Sequence, residues 1–126
     1  MKPEELRKGN IIKVIGRNPT TVETISSSGI NKWQDMGMSG EIKFEELTGI
    51  ALTEALLIKI GFEKHTMLKN QWLTFYISKE DGIGLFLSIK DMLIYYSNDP
   101  IHHIKYVHQL QNLYFSLTGK ELTIKL

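Results

Sequence analysis

Apolar and polar positions change period several times along this chain, and each change predicts an element. Ile11, Ile12, Val14 and Ile15 follow Gly9-Asn10 in β-branched density before Gly16 and Asn18-Pro19 interrupt them; a strand closed by a turn is expected. Thr20 to Ile25 repeats the bias, so the pair reads as a hairpin about residues 16–19. Residues 26–40, SSSGINKWQDMGMSG, are rich in serine and glycine and read as a loop. Beyond it, Ile42 and Phe44 alternate with Glu41, Lys43 and Glu45 as a half-exposed third strand, and Ile50 with Leu52 suggests a short fourth.

Thr53 is placed to cap a short helix through Ile60, with Gly61 ending it and Phe62 folding back onto Leu57. Residues 62–68, 71–79, 82–89 and 92–97 then read as four extended segments separated by Lys69-Asn70, Glu80-Asp81 and Lys90-Asp91. Connections this tight predict an antiparallel meander, since parallel strands need a long crossover at each step. Asp99 and Pro100 read as the start of a last helix. Ile104, Val107, Leu110, Leu113, Tyr114 and Leu117 form its apolar stripe and Gly119 its stop, and residues 122–126 read as a tail strand. The expected fold is α+β: a β-rich N-terminal small barrel or curled sheet, then an antiparallel meander packed against one C-terminal amphipathic helix. The 126 residues are expected to form a single compact unit, any subdivision falling near residues 46–53 to give a β-rich 1–48 and a meander-plus-helix 49–126.

Composition narrows the chemistry. The absence of cysteine removes disulfide scaffolds, thiolate metal sites and cysteine nucleophiles. Fifteen Lys and Arg against fourteen Asp and Glu leave a net charge of +1, so any nucleic-acid binding must come from a local patch. The opening MKPEELRK lacks the apolar segment of a signal peptide, and no run approaches the ~18 apolar residues of a membrane span, so a cytoplasmic protein with no membrane partner is expected.

Three segments, KPEELRKGN near the start, LTEALLIKIGFEK at residues 52–64 and IKYVHQLQNLYFSLTGKELTI at residues 104–124, resemble a family of small uncharacterised proteins of Bacteroidetes-group bacteria and their prophages. The resemblance implies a cytoplasmic bacterial or phage-associated protein. It brings no activity, cofactor or site residue with it.

Catalytic and cofactor motifs fail on inspection. Thr118-Gly119-Lys120 ends like a phosphate-binding loop, but Tyr114 stands where the upstream glycine belongs and Glu121 follows the lysine. Gly82-Ile83-Gly84 has Leu87 in place of its third glycine. His102, His103 and His108 stand at helical offsets of one, five and six, none of them a metal-binding pair, and His65 is remote in sequence. Asp99 precedes His102 and His103 by three and four residues, which allows a loose Asp–His pair or a plain helix cap. Ser26-Ser27-Ser28 lacks a nucleophile elbow, and Glu45-Glu46 and Glu80-Asp81 read as solvated surface. The expectation is a protein without catalytic residues, metal or cofactor.

Aromatic residues point elsewhere. If Leu73, Phe75 and Ile77 face the last helix, alternation sends Trp72, Thr74 and Tyr76 to the other face of the meander, where Phe86 and one of Tyr95 and Tyr96 join them. Trp33, with Met36 and Met38 nearby, either staples its loop to the body or offers a second anchor. Trp33, Trp72, Tyr76, Phe86 and Tyr95 are therefore the candidate interaction surface, for an unknown protein partner or a second copy of the chain. The alternative is a nucleic-acid-binding module that stacks bases on those rings and holds phosphates with Arg7, Lys8, Lys13 and Arg17. Those basic residues belong to a local +3 over residues 1–17, against a local −3 over residues 41–54 that equally suits self-association.

Overall fold

The computed structural model describes residues 3–16, 18–22, 24–25, 29–33, 39–64, 72–78, 83–88, 92–96 and 99–124. Arg17, Ser26-Ser27-Ser28, Met36, Met38, His65 and the expected turns at Lys69-Asn70, Glu80-Asp81 and Lys90-Asp91 lie outside the described residues. The chain divides into two compact units. The first comprises Met1–Ala51 and Tyr106–Leu122, the second Leu52–Lys105 with Thr123–Leu126. The fold is α+β, as expected.

In the first unit, β1 (Ile11–Val14) pairs antiparallel with β2 (Pro19–Thr21) and with β6 (Leu47–Thr48). A second antiparallel sheet is built from β3 (Thr24–Ile25), β4 (Gly29–Trp33) and β5 (Ser39–Lys43), followed by a 3-10 turn at Phe44–Glu46. Two three-stranded sheets therefore replace the barrel alternative. The expected loop over residues 26–40 contains β4 and the first two residues of β5. Ile30 pairs with Ile42 across that hairpin and is fully buried, so one aliphatic pair outweighs the serine and glycine around it. Leu6, Ile12, Val14, Val22, Ile30, Phe44 and Leu47 form the unit's core, with Ile42 packed against it.

The last helix begins later than its Asp-Pro signal suggests. Asp99–His103 is a strand, β11, and helix α2 runs from Val107 to Thr118. Pairing of β11 with its neighbour claims the backbone there, so the helix starts instead at Tyr106, whose N–H donates to Gln109 Oε1 at 3.1 Å. Gly119, in the left-handed conformation, ends it. The sequence reading gave this helix to the meander; the structure groups it with β1 in the first unit. Polar side chains explain that choice. Buried Gln111 accepts from Ile11 N through Oε1 at 2.8 Å and donates through Nε2 to Gly9 O at 3.1 Å, taking the place of a neighbouring strand along this stretch of backbone. Fully buried Asn10 donates to Asn112 Oδ1 at 2.8 Å, and Asn112 donates to Glu5 O at 3.0 Å. Residues 121–124 form no strand.

The second unit opens with α1 (Glu54–Ile60). Thr53 Oγ1 accepts from Leu56 N at 3.1 Å, and beyond Gly61 the N–H of Phe62 donates to Leu57 O at 3.0 Å. Five strands follow: β7 (Glu63–Lys64), β8 (Trp72–Ser78), β9 (Ile83–Ser88), β10 (Leu93–Tyr96) and β11. They pair antiparallel in the order β11-β10-β9-β8-β7, the expected meander. At one edge, Pro100 of β11 lacks a backbone donor and stands beside an irregularity in the β10–β11 register, which blunts that edge against pairing with another chain.

The chain leaves the first unit at Ala51 and re-enters it at Tyr106, and those two residues form an antiparallel bridge. Within the first unit Val107 N donates to Ile50 O at 2.9 Å, and within the second Leu52 N donates to Lys105 O at 2.9 Å. Gly49 makes the re-entry fit, because a Cβ there would stand 2.5–2.9 Å from atoms of the Tyr106 side chain.

Candidate functional site

The meander of the second unit sorts its side chains by chemistry. Leu73, Leu87 and Ile94 lie in register across β8, β9 and β10 and are fully buried. Phe75 shares their face, opposite Leu85, and its ring meets that of Phe62 at 5.2 Å. The segment that ends α1 is thereby anchored on this aliphatic side.

Strand alternation places Trp72, Thr74 and Tyr76 on the opposite face. Thr74 is in register with Phe86, and Phe86 with Tyr95. Trp72 stands opposite Ser88, whose small side chain lets the indole lean over β9 to meet the Tyr95 ring at 5.3 Å, tilted by 53°. Tyr76 stands opposite Gly84, and its Cδ1 lies 3.4 Å from where a Cβ at position 84 would be. The tyrosine ring thus covers backbone that no side chain protects. Tyr76 is 37% exposed, while Trp72, Phe86 and Tyr95 are half-buried. Thr74 lies buried among them, its hydroxyl without a hydrogen-bond partner. The alternation argument therefore brings Trp72, Tyr76, Phe86 and Tyr95 together on one face. Trp33 is the last residue of β4 in the first unit, and its side chain lies outside the described residues.

Charge on this face is sparse. Glu63 is in register with Thr74 and Pro100 with Tyr95. Among the described residues in these registers, no Lys or Arg shares the face with the aromatic rings. Lys64 pairs with Leu73 on the aliphatic side and forms an ion pair with Glu54 at 2.9 Å.

The basic patch fares differently. Arg7 is committed inside the first unit: its guanidinium donates to both carboxylate oxygens of Glu121, with Nη2 to Oε2 at 3.1 Å, and lies 4.2 Å over the Phe115 ring. Its Nε donates to Asn112 Oδ1 at 3.2 Å. The hydrogen bond from Arg7 holds the Glu121 carboxyl below the usual carboxylate range. A phosphate would have to displace that carboxylate to reach Arg7. Lys8 and Lys13 are exposed, and Arg17 lies outside the described residues.

His102 and His103 are successive residues of β11, the side chain of His102 lying outside the described residues, and His108 is buried in α2. The Asp99 cap is absent because Asp99 opens a strand. Among the described residues no group of three or more His, Cys, Asp or Glu is placed to hold a metal ion. No helix among them is long and apolar enough to cross a membrane. Sequence reasoning missed the Arg7, Asn10, Gln111, Asn112 and Glu121 cluster. Its members are separated by about a hundred residues, and no periodicity marks them.

No family model matches the chain, and no curated protein or solved structure matches it.

Proposed function

We propose that the protein is a non-enzymatic interaction module that binds a protein partner through the aromatic face of its second unit. The carrying observation is the gathering of Trp72, Tyr76, Phe86 and Tyr95 on one sheet face without a described Lys or Arg beside them. Rigid aromatics give large contact area at little cost in side-chain entropy, which is why such residues dominate protein interfaces. Single-stranded nucleic acid would also stack on them, but it needs cations along its backbone. Arg7, first of the four basic candidates, already serves Glu121. The phage association rests on the sequence resemblance alone.

Affinity capture from native lysate, with and without nuclease, tests this when wild type is compared with Tyr76→Asp and with Ile58→Ser, an exposed position on α1. The expected result is a nuclease-resistant protein, bound by wild type and Ile58→Ser and lost by Tyr76→Asp. Material that vanishes with nuclease, or a partner that Tyr76→Asp retains, overturns the reading. Sedimentation of the purified chain identifies the case in which the partner is a second copy.

A further inference from the structure

His108 is the second residue of α2 and is 1% exposed, with neither ring nitrogen in a hydrogen bond. Its ring stacks on that of Tyr106 at 5.7 Å and within 10° of parallel. A neutral imidazole tolerates such a site, whereas an imidazolium would carry two unpaired donors into it. The position is also unfavourable within the helix, because the first turn presents the positive end of the backbone dipoles. Burial lowers the pKa of His108, and Glu5, the charged residue acting on it from the opening 3-10 turn, opposes that effect without overcoming it.

The location matters as much as the burial. His108 follows directly on Tyr106 and Val107, through which the chain re-enters the first unit. Beyond the other end of the helix, Glu121 holds Arg7. One end of α2 is therefore seated on an imidazole that must stay neutral, and the other on a carboxylate that must stay charged.

We propose that α2 is an acid-released latch: protonation of His108 frees the helix from β1 and bares the apolar strip of Val107 and Leu110, while the second unit stays folded. The direction follows from linkage. A histidine that stays neutral when folded but binds a proton when released makes release easier as pH falls below its free value of about 6.5. The Glu121–Arg7 pair remains intact through this range, because the Glu121 carboxyl titrates below the usual carboxylate range.

Amide hydrogen exchange on the full chain between about pH 7.5 and about pH 5.5, corrected for intrinsic exchange, reads the two units separately. Opening of α2 is expected to rise by up to about ten-fold, the limit for one proton taken up only on release, with β8, β9 and β10 unchanged. In His108→Leu the rise should disappear. A pH-independent α2, equal loss of protection in both units, or a rise that survives in His108→Leu overturns the proposal. If His108→Leu does not fold, imidazole NMR of wild type decides: a His108 titration below the free value supports the latch, and one at or above it overturns it.

Discussion

The two units reach a closed structure by opposite means. In the second, each strand of the meander pairs with its neighbour in sequence, and the covered face is aliphatic: Leu73, Leu87 and Ile94 in register, with Phe75 against Phe62. In the first, β1 is completed by a side chain from the far end of the chain, since the Gln111 amide serves Ile11 N and Gly9 O. Around it Asn10, Asn112, Arg7 and Glu121 satisfy one another. The second unit rests on local apolar pattern, whereas the first adds remote polar geometry to an apolar core of its own. Apolar contacts weaken gradually when a shape is imperfect, whereas a buried amide without its partner carries the full cost of desolvation.

The largest expected effect bears on the aliphatic side. Leu87→Ala removes a fully buried side chain from the centre of the meander and should cost about 2–5 kcal/mol in denaturant unfolding. Exchange of β8–β10 amides should accelerate more than that of α2; equal acceleration would dissolve the contrast between the units. Next comes Gln111→Leu, which keeps bulk but leaves a backbone donor and a backbone acceptor without their side-chain partner, at about 2–4 kcal/mol. Should this variant be as stable as wild type, the first unit does not depend on its polar cluster. Gly49→Ala tests the seam where the chain re-enters that unit. Its methyl would press on the Tyr106 ring, with an expected loss of about 1–3 kcal/mol and a lower Tm.

The smallest effect is expected at the surface pair. Arg7→Lys keeps the charge but gives up the two-pronged contact with Glu121 and the stacking on Phe115, worth about 1 kcal/mol or less at this exposure. Its pH dependence has a defined sign. Because the Glu121 carboxyl is held low, the contribution is complete above its unfolded pKa near ~4.3 and drains away as pH falls through the lower folded value. Stability curves of wild type and Arg7→Lys should therefore converge in strong acid. Curves that run parallel there would remove Glu121 from the account.

What the amino-acid pattern revealed follows the same division. Thr53, Gly61 and Phe62 mark α1 because a helix end is local chemistry, and the alternation through β8 and β9 predicted the aromatic face because strand geometry has period two. The Asp99-Pro100 signal failed because a hairpin with β10 competed for the same backbone. Ile30 was hidden in plain sight: Ile42 was legible as part of a strand, but its partner is a lone aliphatic residue amid Ser, Gly and Asn, too sparse to read as periodicity. The seating of α2 on β1 was invisible, since the glutamine that fixes it looks like an ordinary residue on the polar face of a helix. Arg7 shows the converse error, a surface cation by composition whose charge the fold had already used.

The bridge between Ala51 and Tyr106 has a consequence for synthesis. A ribosome delivers the residues of the first unit in two instalments, separated by the whole of Leu52–Lys105. At about 5–20 residues per second, the N-terminal strands wait several seconds for the helix that covers β1, and during that interval the meander can fold as it emerges. The nascent chain thus passes through a stage in which the later segment is finished and the earlier one is not, with Ile11 N and Gly9 O left to water until the Gln111 amide arrives.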